Sequence, residues 1–344
     1  MQREGNGTGH DFSLGTQRDS GVTLMTKKHI FGPVLSRRLG LSLGVDLIPF
    51  KTCSYDCAYC ECGHTTAKTI IRQDFFPADE VIAELSGVLA SHPHLDTITL
   101  AGSGEPTLAR SLGPVIAFLK REYPEYTMSV LTNGSLMTNA GVRDELLPAD
   151  RIIPTLTSAF QPTFERIHNP HPLLRIESII EGFVHFRKIY AGAIWLEVFV
   201  IPGVNTTDAE LEGLKAAIEQ INPDLVQLNT LDRPPAEEWV IAASDAELER
   251  VRDVLGRTGI EIAGRKHPVS QASKAMTGTT DLIRATLCRR PSTVEDLVRT
   301  TGLSGGEVAK ILGVLERGDE VTSQRGTRGV FYAILPEKTS NGDS

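Results

Sequence analysis

Short apolar runs alternate with longer amphipathic segments from about residue 43 to residue 232. The runs Leu43–Pro49, Thr97–Ala101, Thr127–Leu131, Arg151–Leu156, Trp195–Ile201 and Leu225–Asn229 are rich in Leu or β-branched residues. Gly, Pro, Asn or Asp bounds each of them, which predicts strands. The segments Ala78–Ala90, Leu112–Glu122, Ile176–Tyr190 and Asp208–Gln220 repeat apolar residues at helical spacing. Asp79 is placed as an N-cap of the first, and Thr207 or Asp208 of the last. Repeated strand–helix units predict a parallel sheet with right-handed crossovers. About six repeats make a partial or full barrel of the (β/α)₆ TIM type, whose chemistry lies on loops at the C-terminal ends of the strands.

The pattern changes after residue 233. Arg233-Pro234-Pro235 breaks the sixth unit, and a helix is predicted from Asp245 to Gly256. Residues 267–280 read as a linker. Asp281–Cys288, Ser292–Thr301 and Ser304–Arg317 read as three helices, the second with Ser292 and Glu295 at capping-box spacing. A Val321–Ile334 hairpin follows. Helix, helix-turn-helix and hairpin together predict a small C-terminal winged-helix domain over residues 281–336. The expected organisation is a leader at 1–26, a barrel at 27–266, the linker, the winged helix and a tail at 337–344. The leader, Gly-, Ser- and Thr-rich without an apolar core, and the tail are expected to be disordered.

Composition narrows the function. A formal charge of −8 over 344 residues does not suit a protein that coats nucleic acid. Eight Lys or Arg against seven Asp or Glu between residues 281 and 336 leave +1, so the winged helix fits docking to protein, RNA or the core better than DNA binding. No run reaches the roughly 18 apolar residues of a membrane span. Clustered free thiols without an export signal predict a cytoplasmic protein, favouring reducing or anaerobic conditions.

Three of the five cysteines, Cys53, Cys57 and Cys60, fall within eight residues with C-x₃-C-x₂-C spacing. Three thiolates on one loop suit three irons of a [4Fe–4S] cube, and a cube ordinarily takes four. The missing ligand leaves one iron open, and an open position marks a metal site that does chemistry. Zinc would need a second clip, but His64, or His168 with His171, stands at an unsuitable spacing. A disulfide framework does not suit a 344-residue chain without a secretory segment. Cys62 lies outside the pattern, as an incidental or substrate-side thiol, and Cys288 falls on the apolar side of a tail helix, predicting a core residue.

The cysteine loop after the first strand, followed by Gly102-Ser103-Gly104-Glu105-Pro106-Thr107 after the second, resembles the radical S-adenosylmethionine (radical SAM) superfamily over roughly residues 31–235. Phe31–Gly40, Gly44–Lys51 and Gln227-Leu228-Asn229-Thr230 resemble a stand-alone subgroup distantly similar to wyosine-type tRNA base-forming enzymes. The resemblance implies a [4Fe–4S] cluster on Cys53, Cys57 and Cys60, with S-adenosylmethionine (SAM) bound through its amino and carboxylate groups to the fourth iron. Reductive cleavage then yields methionine and a 5′-deoxyadenosyl radical that takes hydrogen from the substrate. An electron donor of flavodoxin or ferredoxin type is implied as a partner.

Further cofactor positions follow from the same resemblance. Glu105 would accept from the SAM ammonium, Gly104 would let the backbone approach and Pro106 would stiffen the turn. Without the cysteines these residues read as an ordinary Gly-Pro turn. Tyr59 matches a position whose backbone faces adenine, although its ring reads equally as packing. Asn133 would meet the ribose or carboxylate of SAM, or simply form an Asn-Gly turn. Ser158 is a polar candidate, and Ile201 opens a stretch expected against adenine. Asn229 and Arg233 would face the substrate, and Arg37 and Arg38 an anionic substrate or the barrel floor. The His168–His171 segment shapes the pocket or forms a surface Pro-rich turn. Three functions remain open: an RNA or nucleobase modifier, a peptide or protein maturase, and a cluster-bearing, SAM-sensing DNA-binding regulator.

Overall fold

Every apolar run that was read as a strand enters one sheet. The computed structural model describes residues 29–256, 258–263, 279–326 and 328–335. In chain order the elements begin β1 (Ile30–Ser36), β2 (Gly40–Val45), β3 (Thr52–Cys53), β4 (Ala67–Lys68), α1 (Ala78–Leu89) and β5 (Thr97–Leu100). They continue α2 (Leu112–Glu122), β6 (Met128–Thr132), α3 (Ala140–Leu146), β7 (Arg151–Pro154), α4 (Gln161–His168) and α5 (Ile176–Ile189). Then come β8 (Ala193–Phe199), α6 (Asp208–Ile221), β9 (Leu225–Asn229), α7 (Asp245–Leu255) and β10 (Ile260–Ile262).

The main sheet has the order β1-β2-β5-β6-β7-β8-β9-β10. All neighbours from β2 to β10 are parallel, and β1 adds antiparallel to β2. β1 and β10 form its two edges, so the barrel is partial. The sequence pattern did not show either edge. β1 contains Gly32-Pro33, and its register with β2 shifts between Phe31 and Val34. The Phe31 ring lies over Gly44, where a Cβ would stand 2.1 Å from it. Helices cover the outer face: α1 buries Val81, Leu85 and Leu89, and α2 buries Leu112, Val115, Ile116 and Leu119. Each such side chain contributes about 1.5–3 kcal/mol.

Several ends differ from expectation for local reasons. β2 stops at Val45, short of the expected Pro49, because the Asp46 carboxylate accepts from Ile48 N (3.2 Å) and from Ser103 N and Oγ (3.1 Å each), turning the chain. Asp79 is not the N-cap of α1. Pro77 holds that position, and Asp79 and Glu80 lie in the first turn, where the helix dipole favours acids. Thr207 does cap α6.

The C-terminal part consists of α8 (Thr279–Arg289), β11 (Ser292–Thr293), α9 (Val294–Thr301), α10 (Gly305–Arg317), β12 (Val321–Gly326) and β13 (Gly329–Ile334). Its sheet runs β11-β13-β12, and Ile283, Leu287, Leu297, Val308 and Leu312 belong to a core of its own. Because Ser292 and Thr293 pair with β13, α9 starts later than expected, and its capping box is Thr293 with Asp296 rather than Ser292 with Glu295. Cys288 is exposed, not in the core. Thr279 and Thr280, the end of the expected linker, are helical. The rest of that linker, the 1–26 leader and the 337–344 tail lie outside the described residues. Among the described residues no helix is long and apolar enough to cross a membrane.

Candidate metal and cofactor site

The loops after β2, β5, β6, β7 and β8 meet at the C-terminal end of the parallel sheet. The longest carries the cysteines. Its base is closed by the short β3–β4 pair and by Thr69 N donating to Cys53 O (3.0 Å). Its middle is fastened to the end of α4: Ala58 N donates to Ile167 O (2.8 Å) and Asp56 N to His168 O (2.9 Å). The last carbonyls of a helix lack intrahelical partners, so the end of α4 is a ready acceptor for these amides. Below lies an apolar floor of Ala58, Ile167, Phe199, Ile201 and Val240.

Each pattern cysteine has different polar neighbours. Cys53 Sγ accepts from Tyr55 N (3.5 Å) and stands 3.6 Å from Asn133 Nδ2. Cys57 Sγ lies 3.1 Å from His168 Nδ1, and Cys60 Sγ accepts from Lys51 Nζ at 3.1 Å. Burial pushes the Cys53 thiol up to about 12, helped by the Glu105 carboxylate, and burial also pushes Cys57 up. Cys60 is held down at about 6 by its hydrogen bond with Cys62 and by the Lys51 ammonium. Burial opposes the Lys51 charge, but Cys60 raises its pKa overall.

This donor set fits an iron–sulfur cube. All three cysteines are free and partly buried. Among the described residues no three His, Cys, Asp or Glu side chains converge on a point, as a single zinc ion would require. Three free thiols on one loop suit a cluster that takes one at each iron.

The turn after β5 abuts this loop. A Cβ at Gly104 would lie 1.9 Å from Thr52 O, so glycine alone fits the approach. Glu105 is buried. Its Oε1 accepts from Thr107 N (3.0 Å), Thr107 Oγ1 (2.5 Å) and Thr132 Oγ1 (2.6 Å), and its Oε2 accepts from Asn133 N (2.7 Å). Burial raises its pKa, against these hydrogen bonds. Pro106 opens a short 3₁₀ turn, Pro106–Leu108. Asn133 Nδ2 donates to Ser54 Oγ (2.9 Å), so its side chain reaches the cysteine loop.

Other expected positions have different surroundings. The Tyr59 ring stacks on Phe199 at 4.0 Å and meets His168 edge-on at 5.6 Å. The Ser158 hydroxyl donates to Glu210 Oε2 (2.6 Å) and accepts from Phe160 N (3.0 Å). Ile201 packs in the floor, its amide donating to Asn205 Oδ1 (2.8 Å). Asn229 donates to Glu197 Oε1 (2.7 Å), and Glu197 Oε2 pairs with Arg38 (2.9 Å). Arg37 meets Glu61 and Asp232, each at 3.7 Å, so both hairpin arginines face carboxylates of the protein itself.

Arg233 is not a solvated charge. It is 6% exposed and donates to Glu61 Oε2 at 2.7 Å, with Asp296 of the C-terminal part 3.8 Å away. Cys62 also faces that part, its thiol donating to Arg289 O at 2.8 Å. His168 ends a helix rather than lying in a loop, and His171 N donates to Ser54 O (2.8 Å). Sequence reasoning missed Lys51, Thr157 and Asn205. The first had a faint signal in its place two residues before Cys53; the others had none.

A family model described as the Radical SAM superfamily matches residues 47–213, which span the cysteine loop, the Glu105 turn and Asn133. A protein named GTPase Obg from Brachyspira hyodysenteriae is 34% identical over 310 residues, 89% of this chain and 45% of that protein, so this chain spans less than half of that relative. A UPF0026 protein from Helicobacter pylori is 34% identical over 270 residues, 78% of this chain and 86% of that protein. The fold resembles the crystal structure of a radical SAM methyltransferase from Sphaerobacter thermophilus, with a TM-score of 0.51 at 18% identity over 64% of this chain and 65% of that one.

Proposed function

Because this chain belongs to the radical SAM superfamily, whose members bind a [4Fe–4S] cluster and SAM, we propose that Cys53, Cys57 and Cys60 hold that cluster here. The observation that carries this reading is the three-cysteine loop fastened between the end of α4 and the Gly104-Glu105-Pro106 turn. When bound, the cluster supplies one electron that splits SAM into methionine and a 5′-deoxyadenosyl radical, which takes hydrogen from a substrate.

The chain's own residues bind, orient and seal. Cys53 and Cys57 give up their protons on ligation, since thiolate is the binding form. Lys51 offsets negative charge at Cys60. Glu105 Oε1 is filled by three donors, while Oε2 accepts one and keeps a lone pair for the SAM ammonium. Gly104 and Pro106 fix that turn. Asn133 bridges the turn and the cysteine loop on the SAM side. Tyr59 and Ile201 form the apolar wall toward adenine, and Ser158 keeps the neighbouring strand end in place through Glu210. The floor of Ala58, Ile167, Phe199 and Val240 excludes water.

The substrate reading is an RNA or nucleobase. Residues 281–336 act as a winged helix that clamps it over the loops, in the element order helix, strand, helix, helix, strand, strand. Their charge of +1 suits a few contacts rather than coating DNA. A low-potential electron donor is required. The test is anaerobic reconstitution, reduction with dithionite, addition of SAM and assay of 5′-deoxyadenosine. Product from the native chain and none from Cys57→Ala is expected; a formed cluster without product, even with cell extract, sinks the enzyme reading. Total tRNA should raise the yield and become modified. Stimulation by a protein fraction instead would replace RNA with a peptide substrate.

A further inference from the structure

We propose that His168 is a positioning residue for the cluster: its Nδ1–H donates to the Cys57 sulfur, Thr157 fixes the tautomer, and the pair raises the cluster's reduction potential. The inference rests on the reading of Cys57 as a cluster ligand.

Geometry carries it. His168 Nδ1 is 3.1 Å from Cys57 Sγ, and Nε2 is 2.6 Å from Thr157 Oγ1, so both ring nitrogens are engaged. The ring is 2% exposed and walled by Tyr55, Phe164 and Tyr59, with centroids 5.0, 5.3 and 5.6 Å away. Each imidazole nitrogen can donate or accept, and the group facing it decides which. A ligating thiolate accepts and cannot donate. The hydrogen therefore belongs on Nδ1, and the Thr157 hydroxyl, which can play either part, donates to Nε2.

The spacing is fixed by backbone. Ile167 O and His168 O accept from the amides of Ala58 and Asp56, the neighbours of Cys57, so ring and sulfur hang from the same hydrogen-bonded frame. Asn205 steadies the far end by donating to Thr157 O and Phe199 O, each at 2.8 Å. Reduction adds an electron to the cluster and enriches its sulfurs in charge. A donor aimed at one sulfur stabilises the reduced state more than the oxidised one, which raises the potential.

The experiment uses the full chain as native protein, His168→Phe, Thr157→Val and Thr157→Ser, each anaerobically reconstituted and assayed for iron and sulfide. Their clusters are then titrated electrochemically with EPR detection, without SAM. Full iron in all four is expected. The potential should fall in His168→Phe, fall by a smaller shift in Thr157→Val and stay in place in Thr157→Ser. Pulsed EPR on protein labelled with [¹⁵N]histidine should show a nitrogen coupling that vanishes in His168→Phe. Full clusters with unchanged potentials in both His168→Phe and Thr157→Val overturn the proposal. Should His168→Phe fail to hold a cluster, Thr157→Val decides, because it leaves the ring in place; an unchanged potential there overturns the proposal. A native chain that binds no cluster overturns the ligand reading beneath it.

Discussion

The two flanks of the cysteine loop are held by opposite kinds of force. The inner flank, Cys53 to Ala58, is fixed by neutral hydrogen bonds to the end of α4 and by an apolar floor. The outer flank, Cys60 to Cys62, is fixed by charge: Lys51 on Cys60, Arg233 and Arg37 on Glu61. Arg328 then ties Asp232 to Asp296 of the C-terminal part, at 3.0 Å to each. The inner flank thus belongs to the barrel, and its backbone ties to α4 are screened less by salt than exposed ion pairs are. The outer flank belongs to the junction between two parts of the chain and inherits the sensitivity of ion pairs.

The largest expected contrast is in iron content. Cys57→Ala should hold no cluster after reconstitution, whereas Cys62→Ala, on the outer flank, should retain full iron. Full iron in the Cys57 variant would remove the distinction between the flanks.

Gly104→Ala comes next. Its methyl would enter the Thr52 carbonyl, and overpacking of this sort costs about 1–3 kcal/mol or more. Denaturant unfolding should show the loss of stability, unaltered by added salt. Arg233→Ala should cost ~2 kcal/mol, below the value for a wholly buried pair because Glu61 is 25% exposed. Limited proteolysis should then release the C-terminal part faster while the barrel persists. Equal release from the native chain would mean that the ion pair does not hold the junction.

pH should separate the flanks next. Burial alone would raise the Glu61 pKa, yet Arg233 and Arg37 outweigh it and leave it below its ordinary 4.5. Asp296 is likewise below its ordinary 3.8, where Arg328 and Arg233 outweigh burial. Groups with lowered folded-state pKa values contribute their stability in full above the unfolded values and lose it as pH falls through the folded ones. Junction stability should therefore be flat above about pH 5 and decline below it. A decline starting near neutrality would point to another group. The smallest effect is Arg328→Ala, worth about 0.2–1 kcal/mol and fading with salt.

The sequence showed the inner flank in part and the outer flank hardly at all. C-x₃-C-x₂-C is local, so its chemistry was readable, and the strand rhythm put it at the right end of the sheet. The donors to those cysteines were not readable. His168 lies 111 residues from Cys57, and Asn169-Pro170 made its neighbourhood look like a loop. His168 is the last residue of an eight-residue helix, and the Asp56 and Ala58 amides on that helix end hold it beside the sulfur. Arg233 was read as facing the substrate, because Glu61, 172 residues away, cannot be paired with it from spacing. The edge strand β1 was hidden by Gly32-Pro33, whose ladder interruption erases the period-2 signal. Ser158 was read as a polar candidate for the cofactor, and Glu210, 52 residues away, engages its hydroxyl.

The amides that fasten the cysteine loop to α4 bear on how a metal centre is installed. A floppy ligand loop has to be frozen by the incoming cofactor, at roughly 1–2 kcal/mol for each residue immobilised. Here Asp56 and Ala58 are tied down by the helix end, and Cys60 N and Gly63 N close tight turns on Cys57 O and Cys60 O. Much of that ordering belongs to folding rather than to metal delivery. The folded chain already shapes the loop, and on the proposed ligand reading cluster binding would chiefly require the removal of protons from two buried thiols, Cys53 and Cys57.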